Sequence, residues 1–179
     1  MKRFFVTAVM LVILTVVALP TFAATASGTI DVEIRIPERV GIRINNTAAI
    51  LFDLTSVALP ATFPGYYFPN GPETEILMDL FCNATAGFDL DVISSGDFSL
   101  TIPVSQVLYA PTGTPISVDG GLPGAPWTAF STASVSVYAG HAKTTGWETY
   151  DQAVEFMFED TDEPIATATV TLTYTIASL

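Results

Sequence analysis

Thr167-Ala168-Thr169-Val170-Thr171-Leu172-Thr173-Tyr174-Thr175-Ile176 is the stretch that decides the fold. Every second residue is apolar and every residue between is threonine. In a helix the apolar residues would scatter around the circumference; in a strand they gather on one face. Threonine, valine, tyrosine and isoleucine also suit a pleated, half-buried surface. The sequence therefore predicts a long strand over residues 167–176 with a threonine face toward solvent.

The same two-residue period recurs upstream. Tyr150, Gln152, Val154, Phe156 and Phe158 share one face, and residues 160–164 read as the turn between that strand and the last one. Val135 and Val137 mark a strand among serines. Phe88, Leu90 and Val92 alternate with Asp89 and Asp91, and Ile76, Met78, Leu80 and Cys82 form another apolar face. Val40, Ile42 and Ile44 alternate with Arg39, Gly41 and Arg43 up to the Asn45-Asn46 turn, and residues 51–54 make a short further run. Ile30, Val32, Ile34 and Ile36 alternate with Asp31, Glu33 and Arg35 before Pro37 interrupts, so residues 28–36 read as a half-buried strand. Residues 58–72 and 111–126 are rich in proline and read as loops. No convincing helical period follows the first 26 residues. Eight to ten short strands with Gly/Pro turns predict an all-β, antiparallel two-sheet immunoglobulin-like β-sandwich, with a closed barrel as the alternative.

The N-terminus reads differently. Lys2 and Arg3 precede an apolar run over residues 4–19, Pro20 and the small-residue region 21–26. That order is a signal peptide, helical in its apolar part, with cleavage after Ala23 or Ala26. The alternative is an uncleaved anchor, for which the run is short against the ~20 residues of a span. Residues 27–179 are then a single β-sandwich domain, exported to the extracellular space, the cell surface or the periplasm.

Removing the leader leaves four basic residues, Arg35, Arg39, Arg43 and Lys143, against 18 carboxylates. So acidic a surface repels nucleic acid and anionic lipid, and neither nucleic acid nor, after leader cleavage, a membrane is an expected partner. Cys82 is the sole cysteine, so no internal disulfide can form, and its strand context predicts a buried thiol.

Catalytic chemistry has little to draw on. His141 is the only histidine and falls in a turn-rich stretch without a nucleophile-elbow pattern, which reads as an exposed loop histidine. Asp89/Asp91 and Glu155/Glu159 fall on predicted outward strand faces, where acids serve solubility rather than paired-carboxylate hydrolysis. No enzyme is expected. Asp160, Asp162 and Glu163 sit in an acidic turn that reads first as solvated, with Ca²⁺ as the one metal such oxygens suit; otherwise no cofactor is expected.

Aromatic residues in the loops carry more functional content. Phe63, Tyr66, Tyr67 and Phe68 share one Pro-rich loop, and Trp127 and Trp147 lie in or beside others. Such rings either fold back over the ends of the sandwich or stand out to stack on sugars or anchor a protein partner. The threonine-faced last strand and the strand at residues 28–36 add a further reading, pairing with another chain through strand addition.

Gly87-Phe88-Asp89-Leu90-Asp91-Val92 and Thr173-Tyr174-Thr175-Ile176 each place an aromatic, one spacer and an aliphatic in a strand. In this the chain resembles exported bacterial WxL-like and pilin-like surface domains, with phenylalanine and tyrosine where the WxL proteins have tryptophan. The resemblance implies an immunoglobulin-like sandwich at a bacterial surface without enzymatic activity. Taken together, the sequence predicts a non-catalytic envelope protein with a structural or adhesive role. Its expected partners are other envelope or surface proteins, itself through strand addition, or glycans if the loop aromatics make a carbohydrate-binding module.

Overall fold

The computed structural model describes residues 30–111 and 127–179. The leader reading, both cleavage positions and most of the second Pro-rich loop lie outside the described residues. By its contacts the chain divides into Met1–Ile36 and Pro37–Leu179, and the folded body belongs to the second unit.

That body is all-β and antiparallel. Eleven strands are present among the described residues: β1 (Val40–Ile44), β2 (Gly65–Tyr67), β3 (Glu75–Ile76), β4 (Met78–Cys82), β5 (Phe88–Ser94), β6 (Val107–Pro111), β7 (Thr128–Ala129), β8 (Val135–His141), β9 (Glu148–Thr149), β10 (Gln152–Phe158) and β11 (Leu172–Ser178). The only helical element among the described residues is a 3₁₀ turn, Val104–Gln106. Hydrogen bonding groups the strands into β1-β4-β9, β2-β10-β6-β7 with β3 also on β10, and β11-β5-β8.

These ladders enclose one sandwich core. Met78, Leu80 and Cys82 from β4, Phe88, Leu90 and Val92 from β5, Val154 and Phe156 from β10, and Phe130 after β7 fill its centre. Alternation places them there: β4 and β5 each bury every second residue. Gly87 opens β5 with φ of 99°, and a Cβ there would lie 1.9 Å from the carbonyl oxygen of His141. Only glycine meets both demands. The Cys82 thiol is free and buried, with Sγ 3.4 Å from the Gly87 carbonyl oxygen.

Four sequence expectations change. Residues 51–54 form no strand, because side-chain amides do the pairing: Asp53 N–H donates to Asn70 Oδ1 at 2.8 Å, and Asn70 Nδ2 donates to the Asp53 carbonyl at 2.7 Å. The last strand starts at Leu172 rather than Thr167, because its partner β5 ends at Ser94; beyond it Thr171 N–H turns to the Ser95 hydroxyl at 2.9 Å. Glu155 is completely buried rather than solvated, although it lies on the face of β10 opposite Val154 and Phe156, the face it shares with Met157 and its partner Tyr66 on β2. It sits on β10, a strand flanked by neighbours on both edges. Residues 30–36, expected as a half-buried strand, make no ladder at all.

Candidate functional site

Ile30, Val32, Ile34 and Ile36 are 88%, 79%, 77% and 79% exposed. The residues between them are exposed as well, and Arg35 Nε pairs with Glu33 Oε1 at 2.6 Å along the segment itself. Four aliphatic side chains at every second position of a heptapeptide are the sequence pattern of a buried strand. The pattern alone makes no strand, however: a ladder needs a second edge, and Pro37 supplies no donor to carry a ladder onward. The sequence specifies a strand here, and among the described residues nothing completes it.

The folded body carries the complementary feature, open strand edges. β11 pairs with β5 over seven consecutive residues without a register break, from Leu172↔Ser94 to Ser178↔Phe88. Ser95 N–H donates to the Thr171 carbonyl, and Leu179 N–H donates to the Gly87 carbonyl, both on the same register. Hydrogen-bonded pairs alternate along an antiparallel ladder. Residues 171, 173, 175, 177 and 179 therefore turn their backbone groups toward β5, while Leu172, Tyr174, Ile176 and Ser178 turn theirs to the free edge. On β1 the bonds from Asn83 N–H to the Arg39 carbonyl and from Asn45 N–H to the Leu77 carbonyl fix the same parity. Val40, Ile42 and Ile44 direct their backbone groups away from β4.

The other edges are short or defended. β2, β7 and β9 have three, two and two residues. β8 is long, but its register on β5 shifts twice, Gly140 stands at φ 65°, and Gly140 N–H is taken by Asp89 Oδ1 at 2.7 Å. Bulges of this kind twist an edge away from further pairing.

The loop aromatics separate into different neighbourhoods. Phe63 and Tyr67 both pack on Phe158 of β10, at 5.7 and 6.2 Å between ring centroids, and Tyr67 Oη donates to the Ala58 carbonyl. Tyr66 is half-buried; burial first, and the Glu155 charge second, push its phenol above the ordinary range. Phe68 is exposed, and Trp127 is half-buried before β7. Trp147 stands on the β1-β4-β9 sheet instead: Phe81 lies 5.7 Å from its ring, the Arg43 guanidinium carbon sits 3.7 Å from its centroid, and a Cβ on Gly41 would meet it at 2.8 Å. Asp79, opposite Arg43 on β4, accepts from Asn45 Nδ2 at 3.0 Å and Thr149 Oγ1 at 3.2 Å on that same sheet. The six aromatics are thus spread over different sheets.

His141 corrects the reading of an exposed loop histidine. It closes β8, lies 4.9 Å from the Phe88 ring, and its Nε2 is 2.9 Å from Tyr150 Oη. Tyr138 stacks edge-on against Tyr150 at 4.2 Å, and burial followed by the Tyr150 charge pushes the Tyr138 phenol up. This is an aromatic pin between β8 and the start of β10, and no serine or cysteine contacts the imidazole among the described residues.

The acidic turn also has structural work. Asp162 Oδ1 accepts from the buried Gln106 side chain at 2.9 Å, and its Oδ2 accepts from Glu159 N–H at 2.9 Å. Glu163 N–H donates to Thr101 Oγ1. Asp162 thus spends both carboxylate oxygens on holding the turn to the 3₁₀ segment, and among the described residues no three His, Cys, Asp or Glu side chains cluster as metal ligands. Sequence reasoning missed the open edges of β1 and β11, because a strand's place in a sheet depends on partners that periodicity does not name.

Comparison with known proteins returned no matching family, no matching curated protein and no matching solved structure.

Proposed function

We propose that this chain is an exported, non-catalytic envelope or surface protein with a structural or adhesive role, and that it joins protein subunits by strand addition. The observation that carries this reading is the unpaired apolar face of residues 30–36, with its four aliphatic side chains at least 77% exposed. Exposed apolar surface arranged in strand register is disfavoured in water unless a partner covers it. Main-chain hydrogen bonds then give such an interaction its affinity, and alternate side chains give it specificity. The signal-like N-terminus supports export, and the acidic surface supports solubility between assembly events.

The test compares the exported chain with a variant lacking residues 30–36, by sedimentation velocity over a dilution series. Concentration-dependent species above the monomer for the full chain, and a monomer of unchanged thermal stability for the variant, support the reading. A full chain that stays monomeric at high concentration overturns it.

A second reading draws on Trp147, 43% exposed beside Phe81, Arg43 and the Asp79-Asn45-Thr149 polar group. An aromatic face with flanking polar groups suits a saccharide. Glycan-array binding lost in Trp147→Ala would favour it; an empty array for the parent chain would remove it.

A further inference from the structure

The saccharide reading at Trp147 leaves open which saccharide, and the charges of the β1-β4-β9 sheet narrow the choice. Of the six basic residues only Arg39, Arg43 and Lys143 follow Pro37, whereas every carboxylate but Asp31 and Glu33 does. These three cations gather around this one sheet. Arg43 lies on β1, and Arg39 stands just before it on the same face by alternation. Asn83, directly after β4, holds Arg39 there: its Oδ1 accepts from Arg39 N–H, and its N–H donates to the Arg39 carbonyl. Lys143 precedes Thr144, whose N–H donates to the Cys82 carbonyl at 2.9 Å, at that same end of β4. An acidic body thus collects its positive charge in one place.

Arg43 is positioned without being paired. Asp79 is its register partner on β4, yet the two form no ion pair among the described residues. Asp79 Oδ2 accepts from Asn45 Nδ2 at 3.0 Å instead, and Oδ1 accepts from Thr149 Oγ1 at 3.2 Å. Glu148, the other carboxylate of these strands, accepts from Thr145 N–H at 2.9 Å and from the Thr145 hydroxyl at 3.3 Å. Both carboxylates are spent on neutral donors, and the Arg43 guanidinium lies over the Trp147 ring, 3.7 Å from its centroid. A guanidinium held over an indole keeps its N–H donors directed sideways in a fixed fork, which matches the two oxygens of a carboxylate.

The local sequence builds this arrangement. Trp147 reaches from the β9 side of the sheet, beside Phe81, to β1, where Gly41 leaves it room: a Cβ there would meet the tip of the indole at 2.8 Å. Trp147 stays 43% exposed, and Arg39, Arg43 and Lys143 are exposed as well. All of these residues belong to the unit Pro37–Leu179. A neutral sugar would use the aromatic surface and leave the arginine idle; a sugar acid uses both. The negative charge of the whole chain does not forbid such a ligand, because at physiological ionic strength exposed charges are screened beyond about 8 Å.

We propose that the outer face of the β1-β4-β9 sheet binds a carboxylate-bearing saccharide of the uronic-acid class. Arg43 takes the carboxylate, and Trp147 both holds Arg43 in place and packs against the sugar ring. The inference rests on the saccharide reading above, and its test separates the two.

Titration calorimetry at physiological ionic strength compares three probes on the full chain: an oligogalacturonate, its methyl ester, which keeps the rings and loses the charge, and an oligoglutamate of equal charge. The expected result is oligogalacturonate bound at least about ten-fold more tightly than either of the others. Arg43→Gln should erase the preference for the acid over the ester. Arg43→Lys keeps the charge but not the planar fork, and should lose at least about five-fold in binding the acid. Arg43 is exposed, so both variants should melt as the parent does. Gly41→Ala should push the indole aside and weaken binding of both saccharides. Equal binding of acid and ester, or a preference that survives Arg43→Gln, overturns the acidic class and leaves the saccharide reading standing. Oligoglutamate bound as tightly as oligogalacturonate makes the ligand an acidic peptide and overturns the proposal. Binding of none of the three probes also overturns it, and an empty glycan array then removes the saccharide reading beneath it.

Discussion

Ile34→Asp should leave the folded body intact while abolishing its assembly. Ile34 is 77% exposed and belongs to no ladder, so the fold loses almost nothing when it changes; exposed substitutions of this kind stay within about 0.5 kcal/mol. On an acceptor edge the same side chain becomes buried. Full burial of an isoleucine is worth roughly 1.5–3 kcal/mol, so burying its exposed surface contributes roughly 1–2 kcal/mol to the contact. The aspartate forfeits that and must also leave water, or bind a proton, which brings the loss to at least about 3 kcal/mol. At about 1.4 kcal/mol per factor of ten, association weakens more than 100-fold. Ile34→Ala forfeits the burial term alone and should weaken it roughly ten-fold. Sedimentation velocity over a dilution series reads the association, and a thermal melt reads the fold. If Ile34→Asp assembles within three-fold of the parent, or if its Tm falls by more than about 4 °C, the segment is not a displayed strand and the reasoning fails.

Three further outcomes test the body that carries the edge. Gly87→Ala forces a Cβ against the His141 carbonyl at a φ that L-residues rarely adopt; chemical denaturation should find it destabilised by at least about 2 kcal/mol, and a loss below about 0.5 kcal/mol would contradict the geometry. Thr144→Val removes a buried hydroxyl that accepts from Cys82 N–H at 2.9 Å and donates to the Cys82 carbonyl at 3.3 Å. The stranded amide should cost about 1–3 kcal/mol, and Thr144→Ser should restore most of it. At high pH, burial raises the phenols of Tyr109, Tyr138, Tyr150 and Tyr174 above their ordinary value of 10.0. Above about pH 10 the unfolded chain releases those protons while the native state holds them, so stability is complete below that pH and falls as pH rises. Denaturant midpoints should hold to about pH 9.5 and drop beyond it, with no more than the two half-buried phenols Tyr66 and Tyr67 ionising while the fold persists; a native-state tyrosinate absorbance larger than two tyrosines supply would contradict the buried phenols.

The fold class was legible because alternation is local. Met78, Leu80 and Cys82, or Phe88, Leu90 and Val92, need no knowledge of their partners to be assigned to one face, and all six are buried. Where the reading went astray, the deciding fact lay across the sheet. Val170 continues the pattern of the last strand, but β5 ends before it can be paired. Glu155 looks like a solvent-facing acid by period, yet Tyr66 of the neighbouring β2 shares its face and the carboxylate is buried. His141 sits among turn-forming residues, yet Tyr138, Tyr150 and Phe88 converge on it from three strands or their flanks. The candidate site was half legible: the aliphatic alternation of residues 30–36 is plain in the sequence, whereas its place outside every ladder among the described residues is a fact of topology.

Amide hydrogen exchange, followed residue by residue in dilute and concentrated samples, tests the central claim most directly. In dilute monomer the amides of residues 31–36 should exchange rapidly, while those of Thr173 and Thr175, bonded into β5, stay protected. On assembly residues 31–36 should gain protection by at least ten-fold, with Thr173 and Thr175 little changed. Protection of residues 31–36 already present in the monomer, or assembly that leaves them unprotected, would contradict the account.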